Sequence, residues 1–326
     1  MVAATSDDRW TRPLDGGLIL RATEQPQSPL LDHFFAGYDR AFVLPDEREE
    51  IDGFRACLAI NPQSRHRFGR THREMVMVVD DAATGTLLGG ANFLASHIPD
   101  APAGHPPVAV ALNYLYVEPA ARGRGLSRVL KDCVARLAQD AVDAPPSSPL
   151  PALFIEQNDP LRLSDAEYAA DSAHAGIDQV DRLNVWSRLG ALLVDFPYIQ
   201  PALSADQHSD DGLAYAVMNL EMDSVDAGWF AAHLESFFAI SVLKGGDPAK
   251  DAAAAPQLAG LNAMAAAGQR VPLLPMQPAI ESLRGLPHRP KGTNLRAFAR
   301  QAAMHQQGNA DGADGGGRSG RQQHGR

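Results

Sequence analysis

Residues 112–127 read LNYLYVEPAARGRGLS, and the fold prediction rests on this stretch. A run rich in apolar residues leads into a turn that contains Pro119, and Gly123 and Gly125 lie directly before a helical pattern. The spacing i, i+3, i+4, i+7 in that pattern is typical of an amphipathic helix. Its apolar positions are Leu126, Val129, Leu130, Cys133, Val134 and Leu137. The stretch therefore predicts a strand, a tight turn and a helix in direct succession.

The strand before the turn changes phase along its length. Up to Leu112 its apolar residues alternate in one phase, whereas Leu115 and Val117 alternate in the other. A change of phase in an element of period two implies one extra residue, a β-bulge, near Asn113 and Tyr114. The alternative is a strand buried on both faces, for which phase has no meaning.

The glycines at the start of the helix predict an anion site. A helix N-terminus presents unpaired N–H groups and the positive end of the helix dipole, and glycines let a phosphate approach the backbone. Arg122, Arg124, Arg128 and Lys131 add positive charge, which favours a ligand with several phosphates. A Walker loop is absent from the sequence, and a dinucleotide fingerprint fails because Arg128 stands at its third glycine. A glycine turn with a purely structural role stays open.

Composition excludes several other classes of protein. A net charge of -10 and a pI near 5.5 argue against non-specific binding to the phosphate backbone of nucleic acids. The two cysteines, Cys57 and Cys133, are too few and too far apart for a disulfide framework or a thiolate metal cluster, and no ligand spacing for a metal occurs. Neither a signal peptide nor a membrane span is evident in the pattern, so we expect a cytoplasmic protein without membrane contact.

With its strand included, the glycine stretch resembles motif A of the GNAT acetyltransferases, LxxLxVxPxxRGxG(I/L)G, and departs from it at Ser127. The resemblance implies a mixed, mostly antiparallel α/β sheet flanked by helices, with splayed central strands. It also implies that backbone groups of the bulged strand bind the pantetheine arm of acetyl-CoA and that the following loop binds its diphosphate. The implied cofactor-binding residues are Leu115, Tyr116, Val117, Arg122, Gly123, Arg124, Gly125, Leu126 and Ser127.

A second segment, residues 182–191 (RLNVWSRLGA), is similar to motif B of the same family. Gln179 stands at the position of the motif's asparagine, and Trp186 replaces a tyrosine that commonly protonates the CoA thiolate. The resemblance adds Gln179 and Trp186 to the CoA-binding residues. An indole is no useful proton donor, so the usual general acid is missing or has moved.

The resemblance covers residues 15–245 as one acetyltransferase domain. A polar leader precedes it at 1–14, an Ala- and Pro-rich helical extension follows at 246–305, and composition predicts a disordered tail at 306–326. Other strands are predicted at 17–23, 74–79, 87–96, 150–156, 192–196 and 213–221. Other helices are predicted at 30–42, after Pro45 to Ile60, within 161–189, and at 229–240.

Acetyl transfer to an amine needs a base, an oxyanion site and a proton for the departing thiolate. Glu156 is the first candidate base, at the end of the strand beside the expected CoA cleft, and Asp159 is the second. Tyr198 is a candidate acid, and the resemblance implies backbone N–H groups near Leu115 for the oxyanion. A solvated strand end, an ordinary turn before Pro160 and a core tyrosine are the competing interpretations of Glu156, Asp159 and Tyr198.

The expected function is N-acetyl transfer from acetyl-CoA to a primary amine, either a small molecule or a lysine. A catalytically silent module that binds acyl-CoA is the alternative from another class, and transfer of a longer acyl chain is a third. The expected partners are acetyl-CoA and the acceptor amine, without nucleic acid, membrane or metal, and a homodimer is left open.

Overall fold

The computed structural model describes residues 9–42, 48–65, 67–204 and 206–314. A single sheet of ten strands forms its centre. The strands are β1 (Arg12–Leu14), β2 (Leu18–Thr23), β3 (Thr71–Asp81), β4 (Leu87–His97), β5 (Val108–Val117), β6 (Ala152–Asn158), β7 (Leu192–Val194), β8 (Leu213–Met218), β9 (Ser224–Asp226) and β10 (Arg270–Pro275).

Helices cover both faces of this sheet. They are α1 (Pro29–Ala41), α2 (Ile51–Ala59), α3 (Asn61–Ser64), α4 (Leu126–Ala141), α5 (Asp165–Ala175), α6 (Gln179–Arg188), α7 (Ala227–Phe237), α8 (Ala254–Ala266), α9 (Gln277–Arg284) and α10 (Leu295–Asp314). A π-helical turn, Phe238–Val242, continues α7. The mixed sheet flanked by helices that the sequence predicts is confirmed.

The strand order is β1-β2-β3-β4-β5-β6-β8-β7-β10-β9. All neighbours are antiparallel except β5 and β6, which are parallel. Those two strands pair only from Ala109 to Ala111 of β5, opposite residues 152–154. Beyond that point they diverge, and the second half of β5 leaves one edge without a strand partner. The predicted splay of the central strands is thus present.

The predicted bulge in β5 is confirmed by its register with β4. Tyr114 lies opposite Asn92 and Leu112 lies opposite Phe93, so Asn113 is the extra residue. This extra residue exchanges the two faces for the rest of the strand. Each side chain after the bulge points to the face opposite to the one it would otherwise have reached.

Alternation along β3 divides the core between the two faces. Met75 and Met77 pack in the cluster that contains α4, whereas Val76 and Val78 pack against the aromatic face of α1. Successive side chains of a strand point to opposite faces, so one buried strand supports both layers.

The C-terminal extension contributes to the sheet, contrary to the expectation of a purely helical segment. β10 pairs antiparallel with β7 and with β9, and Val271 and Leu273 alternate as its buried residues. This strand was not predicted from the sequence, because it contains Pro272 and Pro275 and prolines inside a run argue against a strand. The sheet therefore crosses the boundary that the sequence analysis places at residue 245.

The two ends of the chain differ in part from expectation. Residues 12–14, within the predicted polar leader, form β1, and residues 1–8 lie outside the described part. At the other end α10 continues to Asp314, so residues 306–314 are helical where a disordered tail was expected, and 315–326 lie outside the described residues. α2 begins at Ile51, and the predicted start after Pro45 falls in residues 43–47, also outside them.

Two properties of the described ranges bear on function. No helix in them is long and apolar enough to span a membrane. The same ranges contain no group of three or more His, Cys, Asp or Glu side chains placed to hold a metal ion.

Candidate active site

A cavity of about 580 Å³ lies where β5 and β6 diverge. Residues 112–117 of β5 and 155–158 of β6 form its two sides, and the start of α4 closes one end. Because both strands have lost their mutual pairing here, their backbone groups can reach a ligand in the cavity. The divergence of the two strands therefore creates the site.

The glycine loop forms the first end of this cavity. Gly123 and Gly125 both have φ of 76°, a left-handed conformation that favours glycine. A Cβ added at either position would meet no atom within 4 Å, so both glycines face open space. Gly125 is the N-cap of α4, and no side chain caps that helix. Its first N–H groups are thus available to an anion, which fits the diphosphate of CoA.

Two arginines of the cavity wall differ in how their charge is used. Arg122 and Arg182 both line the cavity. The Nη1 of Arg122 donates to the carbonyl of Ala175 at 3.0 Å, and Arg182 pairs with Asp171 at 2.7 Å. Arg124, by contrast, is exposed outside the cavity wall.

The β5 residues expected to bind the pantetheine arm reach the cavity. Leu115, Tyr116 and Val117 line it, as do Leu126 and Ser127 of α4. The phenol of Tyr116 points away, because its Oη donates to the carbonyl of Phe34 on the opposite face at 2.7 Å. Only the backbone of Tyr116 can therefore serve a ligand here.

The two residues from the second motif lie in different environments. Trp186 lines the cavity, whereas Gln179 is only 1% exposed and lies inside the α6 packing. The Oε1 of Gln179 accepts from the Nη2 of Arg182 at 2.5 Å. Gln179 therefore touches the cavity only through the arginine that it orients.

Glu156 and Tyr198, the candidate base and acid, lie side by side. The Oη of Tyr198 donates to Oε1 of Glu156. Burial raises the pKa of Glu156 to about 7, although the hydrogen bond from Tyr198 lowers it in part. A carboxylate with a pKa near neutrality is suited to accept a proton at neutral pH.

Tyr198 itself lies behind Glu156 and is not part of the cavity wall. Burial, followed by the charge of Glu156, raises its pKa well above the ordinary value. Its ring stacks on Tyr215, with ring centroids 4.4 Å apart. The position suits a residue that orients Glu156 better than one that delivers a proton to sulfur.

Asp159 is not brought to the cavity. Its Oδ1 accepts from the N–H of Leu161 at 2.9 Å, and its Oδ2 accepts from the N–H of Leu295 at 2.6 Å. It therefore holds the turn after β6 to the start of α10, which agrees with the turn interpretation of this residue.

Sequence reasoning missed the most buried acid of the cavity, Glu74 of β3. It is 1% exposed, and burial raises its pKa to about 7. Hydrogen bonds from Asn92, Ser241 and Asn113 oppose that shift in part. The signal in the sequence was the presence of Glu74 and Asn92 inside otherwise apolar strands, because buried polar residues need partners.

Aromatic side chains form another part of the wall that sequence reasoning did not place there. Phe42, Phe54 and Tyr114 line the cavity, and the ring of Tyr114 packs edge-on against Tyr38 at 4.8 Å between centroids. Phe42 follows α1 and Phe54 lies on α2, whereas Tyr114 lies on β5. The contact of Tyr114 with the cavity depends on the bulge, which turns Tyr114 toward α1.

Comparison with known proteins gives matches among solved structures alone. No protein-family model matches the chain, and no curated protein matches it either.

The structural matches are distant in sequence. The ribosomal-protein-S18-alanine N-acetyltransferase from Escherichia coli is 14% identical, with a TM-score of 0.34, over 62% of this chain and 95% of that one. An acetyltransferase from Bordetella pertussis described as GnaT-family is 15% identical, with a TM-score of 0.32, over 64% and 99%. A spermidine N-acetyltransferase from Vibrio cholerae is 12% identical, with a TM-score of 0.29, over 62% and 94%. These three solved structures are described as acetyltransferases, one of them as a GnaT-family member.

Proposed function

We propose that this protein is an N-acetyltransferase that moves the acetyl group of acetyl-CoA to a primary amine. The observation that carries the proposal is the meeting of three features in one cavity. These are the uncapped N-terminus of α4 behind two left-handed glycines, the unpaired edge of β5 beyond its bulge, and the carboxyl group of Glu156.

CoA fits the first two features. Its diphosphate would bind the N–H groups at the start of α4 and the nearby Arg122 guanidinium. Its pantetheine arm would lie along the free edge of β5, at Leu115 and Val117, where amide groups need partners. Open space at Gly123 and Gly125 leaves room for the phosphates.

The chemistry requires one proton transfer before attack. Glu156 would accept a proton from the acceptor's ammonium group, and the neutral amine nitrogen would then form a bond to the thioester carbonyl carbon. N–H groups of β5 after the bulge would stabilise the negative oxygen of the tetrahedral intermediate. When the carbon–sulfur bond breaks, its electron pair leaves with the sulfur as the CoA thiolate. The nitrogen then releases its surplus proton, which neutralises the thiolate and leaves a neutral amide.

The test is a transfer assay with acetyl-CoA and a panel of polyamines, amino acids and lysine peptides. We expect release of CoA thiol together with a mass increase of the acceptor by one acetyl group. Binding of acetyl-CoA without turnover on any acceptor would favour the silent module, with Trp186 at the tyrosine position as its reason. Calorimetry that detects no heat from CoA or acetyl-CoA would overturn both.

Transfer of a longer acyl chain is a second candidate, supported by the aromatic wall. Phe42, Phe54 and Tyr114 give the cavity an apolar surface that an acetyl group alone does not need. A series of acyl-CoA donors with one acceptor would separate the two. Specificity constants that rise with chain length would favour the longer donor, and a maximum at acetyl would exclude it.

A further inference from the structure

Glu74 is a buried carboxyl group that only neutral donors contact. Its Oε1 accepts from Asn92 Nδ2 at 2.7 Å and from Asn113 Nδ2 at 3.0 Å, and its Oε2 accepts from Ser241 Oγ at 2.8 Å. Within the described ranges no Lys, Arg or His forms an ion pair with Glu74, and yet Glu74 lines the cavity. A buried carboxylate without a counter-ion is costly unless a ligand supplies the charge.

The same sheet shows how this protein treats a buried acid whose role is structural. Asp80, also on β3 and fully buried, pairs with Arg21 at 2.5 Å and with His33 at 2.8 Å. The contrast with Glu74 on the same strand indicates that the missing cation at Glu74 is not a general feature of the fold.

The groups around Glu74 include one further unpaired acceptor, on Asn113. Asn113 Nδ2 donates to Glu74 Oε1 and, at 2.9 Å, to Asn92 Oδ1, so both bonds fix the orientation of the amide. Its Oδ1 atom is buried and has no hydrogen-bond partner. An ammonium group has three donors and no acceptor, and therefore complements a carboxylate beside an unpaired amide oxygen.

The cluster is held rigidly from two sides. The backbone N–H and carbonyl of Glu74 both bond to the Asn61 side chain at 2.8 Å. Ser241 belongs to the π-helical turn after α7, and such turns occur frequently at functional sites. The π-turn is what brings the Ser241 hydroxyl to Glu74, and fixed partners of this kind preorganise a binding group.

We propose that Glu74, Asn113 and Ser241 form an ammonium site for a second, unreacting cationic group of the acceptor, and that the acceptor class is a linear diamine. This rests on the proposed function, in which Glu156 serves the reacting amine. Glu49 cannot take the same part, because Lys244 already pairs with it at 2.7 Å. Asp210 also lines the cavity but is exposed. Glu74, which is buried, and Glu156, which is half-buried, are therefore left for the two amines.

The test measures binding and transfer separately. Putrescine, a linear diamine, and n-butylamine, with the same chain and a single amine, are titrated into the CoA-bound protein at about pH 8, where carboxylates are charged and both amines protonated. The variants are Glu74→Gln and, as the matched control, Glu221→Gln. Glu74→Gln keeps the size of the side chain and the oxygen that accepts from Asn92 and Asn113. Its amide nitrogen can donate to Ser241 Oγ instead of accepting from it, and the negative charge is lost. Glu221 is exposed and outside the cavity wall.

We expect the parent and Glu221→Gln to bind putrescine about tenfold or more tightly than n-butylamine. A hydrogen-bonded charge pair contributes enough binding free energy for a difference of that size. Glu74→Gln should remove the preference. Equal affinity of the parent for both amines would overturn the ammonium site, and this comparison needs no variant to fold. A preference that survives Glu74→Gln would overturn it as well.

The two proposals fail in different ways. If the putrescine preference depends on Glu74 but neither amine is acetylated, the ammonium site stands and the transferase activity does not. If both amines are acetylated with equal specificity constants and bind equally, transfer stands and the diamine assignment is wrong.

Discussion

The two ends of the cavity are built by different means. The end formed by the glycine loop consists of backbone groups from one continuous stretch, residues 115–127, and carries Arg122. The acidic end consists of side chains from distant elements, with Glu74, Glu156 and Ser241 each contributed by a different one. The proposed phosphate site is therefore local in sequence, whereas the proposed acceptor side depends on how the fold brings distant elements together.

The strongest test of this division is Glu156→Gln. We expect acetyl transfer to fall about a hundredfold to ten-thousandfold, the range of general base catalysis, because the amide cannot accept the ammonium proton. CoA affinity should not change, since the glycine loop lies at the other end. Steady-state transfer and calorimetry with CoA measure the two effects. Unchanged turnover would remove Glu156 from the mechanism, and Glu221→Gln controls for loss of an exposed carboxylate.

The reciprocal test acts on the glycine loop. Gly125→Glu should weaken CoA binding about a hundredfold, because a carboxylate at the N-terminus of α4 competes with the diphosphate and because φ of 76° strains a side chain. Calorimetry with CoA measures it.

The matched control for that variant is Gly104→Glu. Gly104 also has a left-handed φ, 84°, with open space at its Cβ, but it lies outside the cavity wall. Gly104→Glu introduces the same backbone strain and the same charge, but at a position away from the proposed diphosphate site. The affinity for CoA should therefore not change. Parent-like affinity of Gly125→Glu would contradict the glycine loop as a CoA site.

Stability against pH tests the acidic end without a substrate. The pKa of Glu74 is raised from 4.5 to about 7. The contribution of Glu74 to the free energy of unfolding is therefore fully present below about pH 4.5 and is lost as the pH rises through 7. Glu74→Gln removes this titration and should raise the free energy of unfolding at about pH 8 by about 2 kcal/mol. Urea unfolding at several pH values measures it. A variant less stable than the parent at alkaline pH would show that the carboxylate is stabilised in the fold.

The smallest expected effect is that of Tyr198→Phe. The Tyr198 hydrogen bond lowers the pKa of Glu156, so its loss should raise that pKa by about one unit. The rising limb of kcat/KM, centred near pH 7 in the parent, should move to higher pH, and turnover at neutral pH should fall without a change in CoA affinity. A pH–rate profile measures this shift. An unmoved profile with lower turnover would instead favour Tyr198 as a proton donor.

Much of the architecture could be predicted because its signals are local. The bulge at Asn113 follows from a change of phase within ten residues, and α4 follows from the spacing of its apolar residues. β10 could not be predicted, because Pro272 suggests a loop and its pairing with β7 joins residues about eighty positions apart in the chain.

The candidate site divides in the same way. Glu156 was predicted by its place at the end of a strand, whereas Asp159 proved to bind backbone N–H groups at a turn. Glu74 gave a signal only as a polar residue in an apolar strand, and its meaning depends on Asn113 and Ser241, which no spacing connects to it.

The succession of strand, glycine turn and helix at residues 112–127 could be predicted from the sequence alone, because backbone conformation and helix dipole are local properties. Which side chains face the open end of the sheet depends on the tertiary structure. The burial and the partners that set the pKa of Glu74 and of Glu156 come from strands and a π-turn that are distant in the chain.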